Sequence, residues 1–145
     1  MTDLRAEREA AGLTQKQLAE LTGIAQSNLS AYESGRRHAS PAMLERIRHA
    51  LRRPADALDE HRQEIRAIIA RHGARNPRVF GSVARGQDTS SSDLDILVSV
   101  PPGAAWTFGR IARDVEELLG VHVDVVSEGG LDDRHREILD EAVPL

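Results

Sequence analysis

The spacing of the apolar residues changes at Gly73, and this change constrains the fold more than any other feature of the sequence. Before Gly73 apolar residues recur every three or four positions, as over 43–51, which is typical of amphipathic helices. After Gly73 they alternate with other residues, as over 94–100 and 121–125, which is the period of a strand. A chain of 145 residues accommodates two small domains, so the change predicts one helical and one mixed module.

The predicted elements divide the chain into residues 1–54 and 55–145. The first part contains four short helices; Leu18 and Leu21 form the apolar side of the second, and Pro54 ends the fourth. The elements predicted for the second part are a helix over 55–72, strands over 78–80, 94–100 and 121–125, a helix between the last two strands, and a final helix over 131–142. The expected fold class is α+β, with an all-α domain followed by a small α/β domain that has a short mixed sheet.

Composition narrows the class of protein. Cysteine is absent, which excludes a disulfide scaffold and a cysteine-ligated zinc site. No apolar run approaches the roughly 18 residues of a membrane span, and the charged first ten residues do not form a signal peptide. We therefore expect a cytoplasmic protein with no membrane partner.

The charge is distributed unevenly between the two ends. Residues 1–58 contain nine Lys and Arg against seven Asp and Glu, whereas residues 59–145 contain ten against sixteen. A mildly basic first module and an acidic second module are consistent with different binding partners. The surplus in the first module is only two charges, so chance explains the difference equally well.

A helix, a tight turn and a second helix lie within residues 14–35. Thr14 and Gln17 fit a capping box at the start of the first of these helices, and Gly23 ends it. The next helix covers about 26–33 and has Ala25 where a capping side chain would stand. One more helix flanks the pair on each side, which is the helix-turn-helix plan.

The segment "LTQKQLAELTGI…LSAYESGRR" resembles the XRE, or lambda-repressor-like, family of DNA-binding domains. The resemblance covers residues 4–53 and implies that the third helix reads bases in the major groove. Glutamine and asparagine can pair with adenine there, and side chains at the helix ends can contact phosphates. The predicted DNA-binding residues are Gln15, Lys16, Gln26, Ser27, Asn28, Ser30, Arg36 and Arg37. For Ser30 a solvated polar residue is the equal alternative.

Three aspartates stand where strands can bring them together. Asp93 and Asp95 are two apart on one predicted strand, so their side chains share a face, and Asp124 lies on another strand. If these strands pair, three carboxylates converge, and like charges at that distance need a cation. Oxygen ligands suit Mg²⁺, and two such ions can clamp the attacking and leaving oxygens of a phosphoryl displacement.

The segment Gly81–Gly86 precedes these aspartates. A strand that turns at Gly81 into a helix exposes backbone N–H groups to a polyphosphate, and Ser82 adds a hydroxyl donor. Arg85 can contact phosphate or pack against the carboxylates, and the sequence does not choose between these contacts. His122 lies on the same strand face as Asp124 and is interpreted as a surface histidine, with a role in catalysis as the alternative. Glu116 is interpreted as part of a solvated helix face.

The motifs "GSVARG" and "SDLDILV", followed by "VHVDVV" and the ending "ILDEAVPL", resemble the minimal nucleotidyltransferase family of the polymerase-beta-like superfamily. The resemblance covers about residues 60–145. It implies that a hydroxyl attacks the α-phosphorus of a nucleoside triphosphate and that pyrophosphate leaves. It also implies that Gly81 and Ser82 hold the β- and γ-phosphates, that Asp93 and Asp95 ligate two Mg²⁺ ions, and that Asp124 ligates the ion nearer the acceptor.

The predicted site residues follow from this resemblance. The predicted catalytic residues are Ser82, Asp93, Asp95 and Asp124, of which the three aspartates are also the predicted metal ligands. The predicted nucleotide-binding residues are Gly81, Ser82 and Arg85. No residue is assigned to reading the base, so the choice of ATP as co-substrate rests on the resemblance alone.

Members of this family are often antitoxins paired with a HEPN-type toxin, and the resemblance implies transfer of AMP from ATP to a tyrosine of that toxin. An attached helix-turn-helix would bind and repress the operon's own promoter. Tyr32, the single tyrosine, is predicted to lie in the core of the first module, so an external acceptor is favoured. Because the first module carries little positive charge, we expect a homodimer on operator DNA or a hetero-oligomer with the toxin.

Three alternatives to an active antitoxin remain open. One is a small-molecule nucleotidyltransferase, although 145 residues leave no room for the helical acceptor domain that such enzymes usually carry. Another is a transcriptional regulator whose second module only senses nucleotide. The last is an antitoxin that neutralises its toxin by binding and without catalysis.

Overall fold

The protein consists of two compact units, one extending to Arg53 and the other from Pro54 to Leu145. The computed structural model describes residues 3–104 and 106–145. Within that part of the chain, none of the helices combines the length and the apolar character needed to cross a membrane.

The first unit is a set of short helices with well-defined ends. Its elements are α1 (Leu4–Ala10), α2 (Gln15–Thr22), α3 (Gln26–Glu33) and α4 (Pro41–Leu51). The predicted capping box is present, since Thr14 accepts from the backbone N–H of Gln17 and the Gln17 side chain accepts from that of Thr14. At Ala25 no side-chain cap is present, as expected from its methyl group.

The core of the first unit is formed by Leu18, Leu29 and Ile47, which are almost fully buried. The prediction that Leu21 shares the apolar side of α2 is wrong, because 55% of Leu21 is exposed. Thr22 takes the buried position instead, and its hydroxyl donates to the carbonyl of Leu18 at 2.7 Å. A hydroxyl that donates a hydrogen bond can be buried at low cost, so the polarity of Thr22 did not indicate that it faces the core of the first unit.

Tyr32 is half-buried and packs against this core. A buried ion pair lies nearby, with Arg8 Nε 2.8 Å from Glu33 Oε1. Arg8 also donates from Nη1 to the carbonyl of Leu13, at 2.8 Å. The pair ties α1 to α3, and its partners compensate the charge that each side chain brings out of water.

The second unit combines helices with one mixed sheet. Its elements are α5 (Pro54–Glu60), α6 (Arg62–Arg71), β1 (Arg75–Phe80), α7 (Gly81–Ala84), β2 (Leu94–Ser99), α8 (Thr107–Leu119), β3 (Val123–Ser127), 3₁₀ helices at Glu128–Gly130 and Asp133–His135, α9 (Arg136–Glu141) and β4 (Val143–Pro144). The strand order is β3-β2-β1-β4. β2 and β3 run parallel, whereas β1 is antiparallel to β2 and to β4, which confirms the predicted short mixed sheet.

The core of the second unit holds the sheet against α6 and α8. Leu94, Ile96 and Val98 on β2 are fully buried and share one hydrophobic cluster with Ile65 of α6 and Ile111 of α8. The alternating apolar residues of the sequence therefore fix which face of β2 is internal, and its remaining residues lie on the other face.

The prediction of a single helix over 55–72 is wrong, because the segment forms α5 and α6. His61 separates them with φ −122° and ψ 21°, outside the helical region. Buried Leu58 and Ile65 are seven residues apart, so the apolar spacing continues through the break and does not reveal it. Pro54 begins α5 rather than ending α4, because proline suits the first helical position, where the backbone N–H has no helical acceptor.

The last residues also differ from the prediction of one helix over 131–142. The segment instead has a 3₁₀ turn, opened by Asp132 accepting from the backbone N–H of Arg134, and then the short helix α9. The strand β4 was not predicted, because two residues show no periodicity. Pro144 is tolerated there because β4 is an edge strand. β1 begins at Arg75, before the predicted 78–80. Its pairing with β2 shifts register between Arg75 and Arg78, and the residues there show no alternation of apolar and polar side chains.

The Arg8–Glu33 pair gives a stability prediction for the first unit. Arg8→Ala leaves the Glu33 carboxylate, whose side chain is 7% exposed, without its main counter-charge. We expect a loss of about 3–5 kcal/mol in the free energy of unfolding, measured by circular dichroism in denaturant. Arg5→Ala is the matched control, because Arg5 is 69% exposed in its side chain and pairs only with Glu9 among the described contacts, so the unfolding midpoint should not move. Equal midpoints for both variants would contradict this assignment.

Candidate active site and nucleic-acid face

The parallel pairing of β2 with β3 places two of the predicted metal ligands side by side. Asp95 on β2 is directly opposite Asp124 on β3 in the strand register. Asp93 comes just before β2, so it points to the same side as Asp95 while buried Leu94 points to the core. We call Asp93, Asp95 and Asp124 the aspartate cluster.

The aspartate cluster is electrostatically costly without a cation. Burial raises the pKa of Asp95 to about 6, and repulsion from Asp124 and then Asp93 adds to the rise, while Arg85 opposes it. Asp93 and Asp124 are exposed, whereas Asp95 is half-buried. A divalent cation would neutralise these charges, so the electrostatics fit a metal site.

Only two of the three predicted metal ligands belong to the group of donor atoms that lie close enough together to hold one cation. One carboxylate oxygen each from Asp93 and Asp124 and one ring nitrogen of His122 all lie within 4.8 Å of one another. The structure therefore brings two predicted ligands together with His122, which is exposed, as predicted, but is not among the predicted metal ligands. Asp95 is outside this close group and lies instead against Gly81.

The turn from β1 into α7 lies next to the aspartate cluster. Gly81 has φ +72°, and a Cβ on it would overlap Oδ2 of Asp95. Glycine at this position is therefore what lets the turn and the Asp95 carboxylate approach each other. Ser82, the next residue, is half-buried, and its carbonyl accepts from the backbone N–H of Gln87 at 2.9 Å.

Glu141 also contacts this site, although it is not among the predicted site residues. Its Oε1 accepts from the backbone N–H of Gly81 at 2.9 Å, and its Oε2 accepts from Arg85 Nη1 at 2.8 Å. The hydrogen bond from Gly81 and then that from Arg85 hold the pKa of Glu141 below its ordinary value. Arg85, left open between phosphate and carboxylate, here contacts Glu141.

The sequence did contain a signal for Glu141. The residue stands in the ending "ILDEAVPL", which carries part of the family resemblance. Composition and spacing could not connect it to Gly81, because the two residues are 60 positions apart and the short strand β4 that guides the segment was not predicted.

Glu116, predicted to be part of a solvated helix face, instead contacts the start of β3. Its Oε1 accepts from the backbone N–H of Val123 at 3.0 Å and lies 3.0 Å from Nδ1 of His122. The carboxylate of α8 thus holds the start of β3, immediately before Asp124.

The predicted DNA-binding residues lie on α2, α3 and the turn that follows α3. Gln26 and Ser27 are exposed at the start of α3, and Asn28 and Ser30 are half-buried. Arg37 donates to Oδ1 of Asn28 at 3.1 Å, which orients both side chains. Arg36, Arg37 and Lys16 are exposed.

Gln15 has a partner that the sequence did not reveal. Its Nε2 donates to Oε2 of Glu33 at 2.6 Å, in a part-buried contact. The Gln15 side chain therefore belongs to the same polar network as Arg8, and its second amide N–H is the donor that this contact leaves for a phosphate.

The second unit carries the aspartate cluster beside the Gly81 turn on a four-stranded mixed sheet, and comparison with known proteins identifies the class of this unit. A family model described as "Helix-turn-helix" matches residues 4–58. A model described as "Nucleotidyltransferase domain" matches residues 59–145, and the chain belongs to this family. Both resemblances are thereby confirmed: the chain is a nucleotidyltransferase with an N-terminal helix-turn-helix.

Individual relatives are similar over a stretch about as long as the second unit. The chain is 38% identical over 77 residues to protein adenylyltransferase MntA of Thermococcus cleftensis, covering 51% of this chain and 73% of that protein. It is 34% identical over 88 residues to a Methanocaldococcus jannaschii protein provisionally named protein adenylyltransferase MJ0435, covering 59% and 95%. A solved structure, provisionally described as a minimal nucleotidyltransferase, is 45% identical with a TM-score of 0.56, covering 63% of this chain and 95% of that chain.

Gly81→Ala tests the contact between the turn and the aspartate cluster. The added methyl group would displace the Asp95 carboxylate, so we expect the protein to bind Mn²⁺ at least about tenfold more weakly in isothermal titration. Gly86→Ala is the matched control, because Gly86 also has positive φ but an added Cβ there would meet no atom of the described residues within 4 Å. Both variants pay about 1–2 kcal/mol for the backbone conformation. Equal Mn²⁺ affinities in the two variants would contradict the contact.

Asp95→Asn tests the electrostatic cost of the aspartate cluster. The pKa of Asp95 is about 6 in the folded state and about 4 in the unfolded state, so between these pH values only the folded state keeps the proton. The free energy of unfolding therefore falls as pH rises from about 4 to about 6. In buffer with a chelator, the variant should be about 1–2 kcal/mol more stable than the wild type at pH 7.5, after allowance for solvent screening. The gain should vanish near pH 4 in thermal unfolding. Asp133→Asn, at a fully exposed side chain, is the control, and a pH-independent gain would refute the assignment.

Proposed function

We propose that this nucleotidyltransferase moves AMP from ATP to a hydroxyl of a partner protein, and that the partner is a toxin which the modification silences. The aspartate cluster beside the Gly81 turn is the observation that carries the proposal. The similarity to proteins named protein adenylyltransferase supports AMP as the transferred group and protein as the acceptor. The toxin, of HEPN type, is proposed from the family resemblance.

The roles of the residues are proposed from the family resemblance, and their positions beside the Gly81 turn are compatible with these roles. The backbone N–H of Gly81 and the hydroxyl of Ser82 would bind the β- and γ-phosphates, with Arg85 as a further cationic contact. Asp93, Asp95 and Asp124 would hold Mg²⁺, two ions in this proposal. When bound, such ions neutralise the carboxylates and stabilise charge on the attacking and leaving oxygens.

The proposed transfer is a displacement at the α-phosphorus of ATP. The acceptor oxygen forms a bond to the α-phosphorus, the bond from that phosphorus to the bridging oxygen breaks, and pyrophosphate leaves with the electron pair. Asp124, exposed at the edge strand β3, is the residue we propose to receive the acceptor proton. Its exposure allows a macromolecular acceptor to reach it.

The helix-turn-helix adds a second activity to the proposal. Exposed Gln26 and Ser27 would enter the major groove, while Lys16, Arg36 and Arg37 would contact phosphates. The operator would be that of the gene pair itself, so the protein would repress its own synthesis. Binding as a homodimer, or together with the toxin, would supply the two half-site contacts that one small module lacks.

The double variant Asp93→Asn/Asp95→Asn tests the transfer activity. Incubated with the protein encoded by the adjacent reading frame and α-labelled ATP in Mg²⁺, the wild type should label that partner, and the variant should lose at least about 100-fold in rate. Operator binding in a gel-shift assay should be unchanged in the variant, because the helix-turn-helix is a separate unit.

Asp56→Asn/Asp133→Asn is the matched control, because both carboxylates are exposed and lie outside the aspartate cluster. Its labelling rate should equal that of the wild type. Persistent labelling by the Asp93/Asp95 variant would refute the active site. Absent labelling by wild type, with the toxin still neutralised, would favour the binding-only antitoxin.

A further inference from the structure

His122 lies between the aspartate cluster and a carboxylate on the neighbouring helix. Its Nε2 is 3.4 Å from Oδ1 of Asp124, and its Nδ1 is 3.0 Å from Oε1 of Glu116. A carboxylate oxygen of Asp93 completes a group of three donor atoms within 4.8 Å. The ring therefore has one nitrogen toward the predicted metal site and the other toward Glu116.

Glu116 is held in place independently of the histidine. The same Oε1 accepts from the backbone N–H of Val123, the first residue of β3, at 3.0 Å. Glu116 Oε1 is therefore placed to accept a hydrogen bond from Nδ1, and in that arrangement Nε2 is the nitrogen that can bind a cation. Histidines that bind metals almost always donate the other ring N–H to a carboxylate, a backbone carbonyl or a water, and this partner fixes both the tautomer and the ring orientation.

We propose that His122 is a metal ligand at the nucleotidyltransferase site, that Glu116 positions it, and that the site consequently takes imidazole-binding divalent ions such as Co²⁺ or Mn²⁺ as well as Mg²⁺. The inference rests on the proposed function for the existence of the metal site. Two donors that each lie about 2.1 Å from one ion are about 3.0–3.4 Å apart, which matches the separation of His122 Nε2 and Asp124.

A different role for His122 gives a different result. If the ring is protonated, it acts as a counter-charge between Glu116 and Asp124, and a cation would compete with it. Replacing His122 would then strengthen cation binding or leave it unchanged. A ligand role predicts weaker binding, and it predicts that the loss depends on the metal, because imidazole suits transition ions better than Mg²⁺.

Isothermal titration of the full chain with Co²⁺ and, separately, with Mg²⁺ tests the proposal. We expect His122→Ala to weaken Co²⁺ binding at least about tenfold and Mg²⁺ binding by less than about twofold. Glu116→Gln should weaken Co²⁺ binding by a smaller factor than His122→Ala, since it retains the ligand but loses the charge behind it. His135→Ala is the matched control, because His135 is also exposed beside a carboxylate, that of Asp132, and should bind Co²⁺ like the wild type.

Electron spin-echo modulation of Mn²⁺ provides a readout that a structural role would not move. The wild type and His135→Ala should show the ¹⁴N modulation of a coordinated imidazole, and His122→Ala should not. A ¹⁴N signal that persists in His122→Ala, or equal Co²⁺ affinities in His122→Ala and the wild type, would overturn the proposal.

The Asp93→Asn/Asp95→Asn variant separates this proposal from the proposed function. If metal binding requires the aspartates but is indifferent to His122, only the ligand role of His122 is wrong. If the wild type binds neither ion, the metal site itself is wrong and both proposals fail. The same conclusion follows if the Asp93→Asn/Asp95→Asn variant binds both ions as tightly as the wild type.

Discussion

The site depends on the parallel pairing of β2 with β3. This pairing sets Asp95 opposite Asp124, and the buried Leu94 and Ile96 fix the face of β2 from which the acidic side chains project. A shift of one residue would move Leu94 and Ile96 out of the core and bring the carboxylates into it, so the hydrophobic core enforces the register. The charge repulsion within the aspartate cluster is thus a cost that the packing of the second unit offsets.

Arg85 moderates the charge repulsion within the aspartate cluster. Burial and repulsion raise the pKa of Asp95 to about 6, and the nearby cationic side chain of Arg85 opposes this rise. Arg85 is itself bound to Glu141, so the cation is shared between two acidic groups. A half-buried carboxylate whose pKa is raised by burial and by neighbouring charges marks a candidate functional site, and this one lies in the unit that matches the nucleotidyltransferase family.

The sequence predicted the parts of this molecule that depend on local chemistry. The capping box at Thr14, the buried face of β2 and the aspartates at the start of that strand all follow from side-chain type and spacing. The errors concern features without a local signal: the break at His61 leaves the apolar phase unchanged, and β4 is too short to have a period. Glu141 and Glu116 were missed because their partners, Gly81 and His122, are brought to them by tertiary structure.

The contact between Glu141 and the turn at Gly81 has a consequence for any ligand of that turn. The backbone N–H of Gly81 is already saturated by an anion that belongs to the protein. An anionic ligand that took this donor would have to replace the Glu141 carboxylate, which also accepts from Arg85. Such a ligand would compete with α9, whose last residue is Glu141.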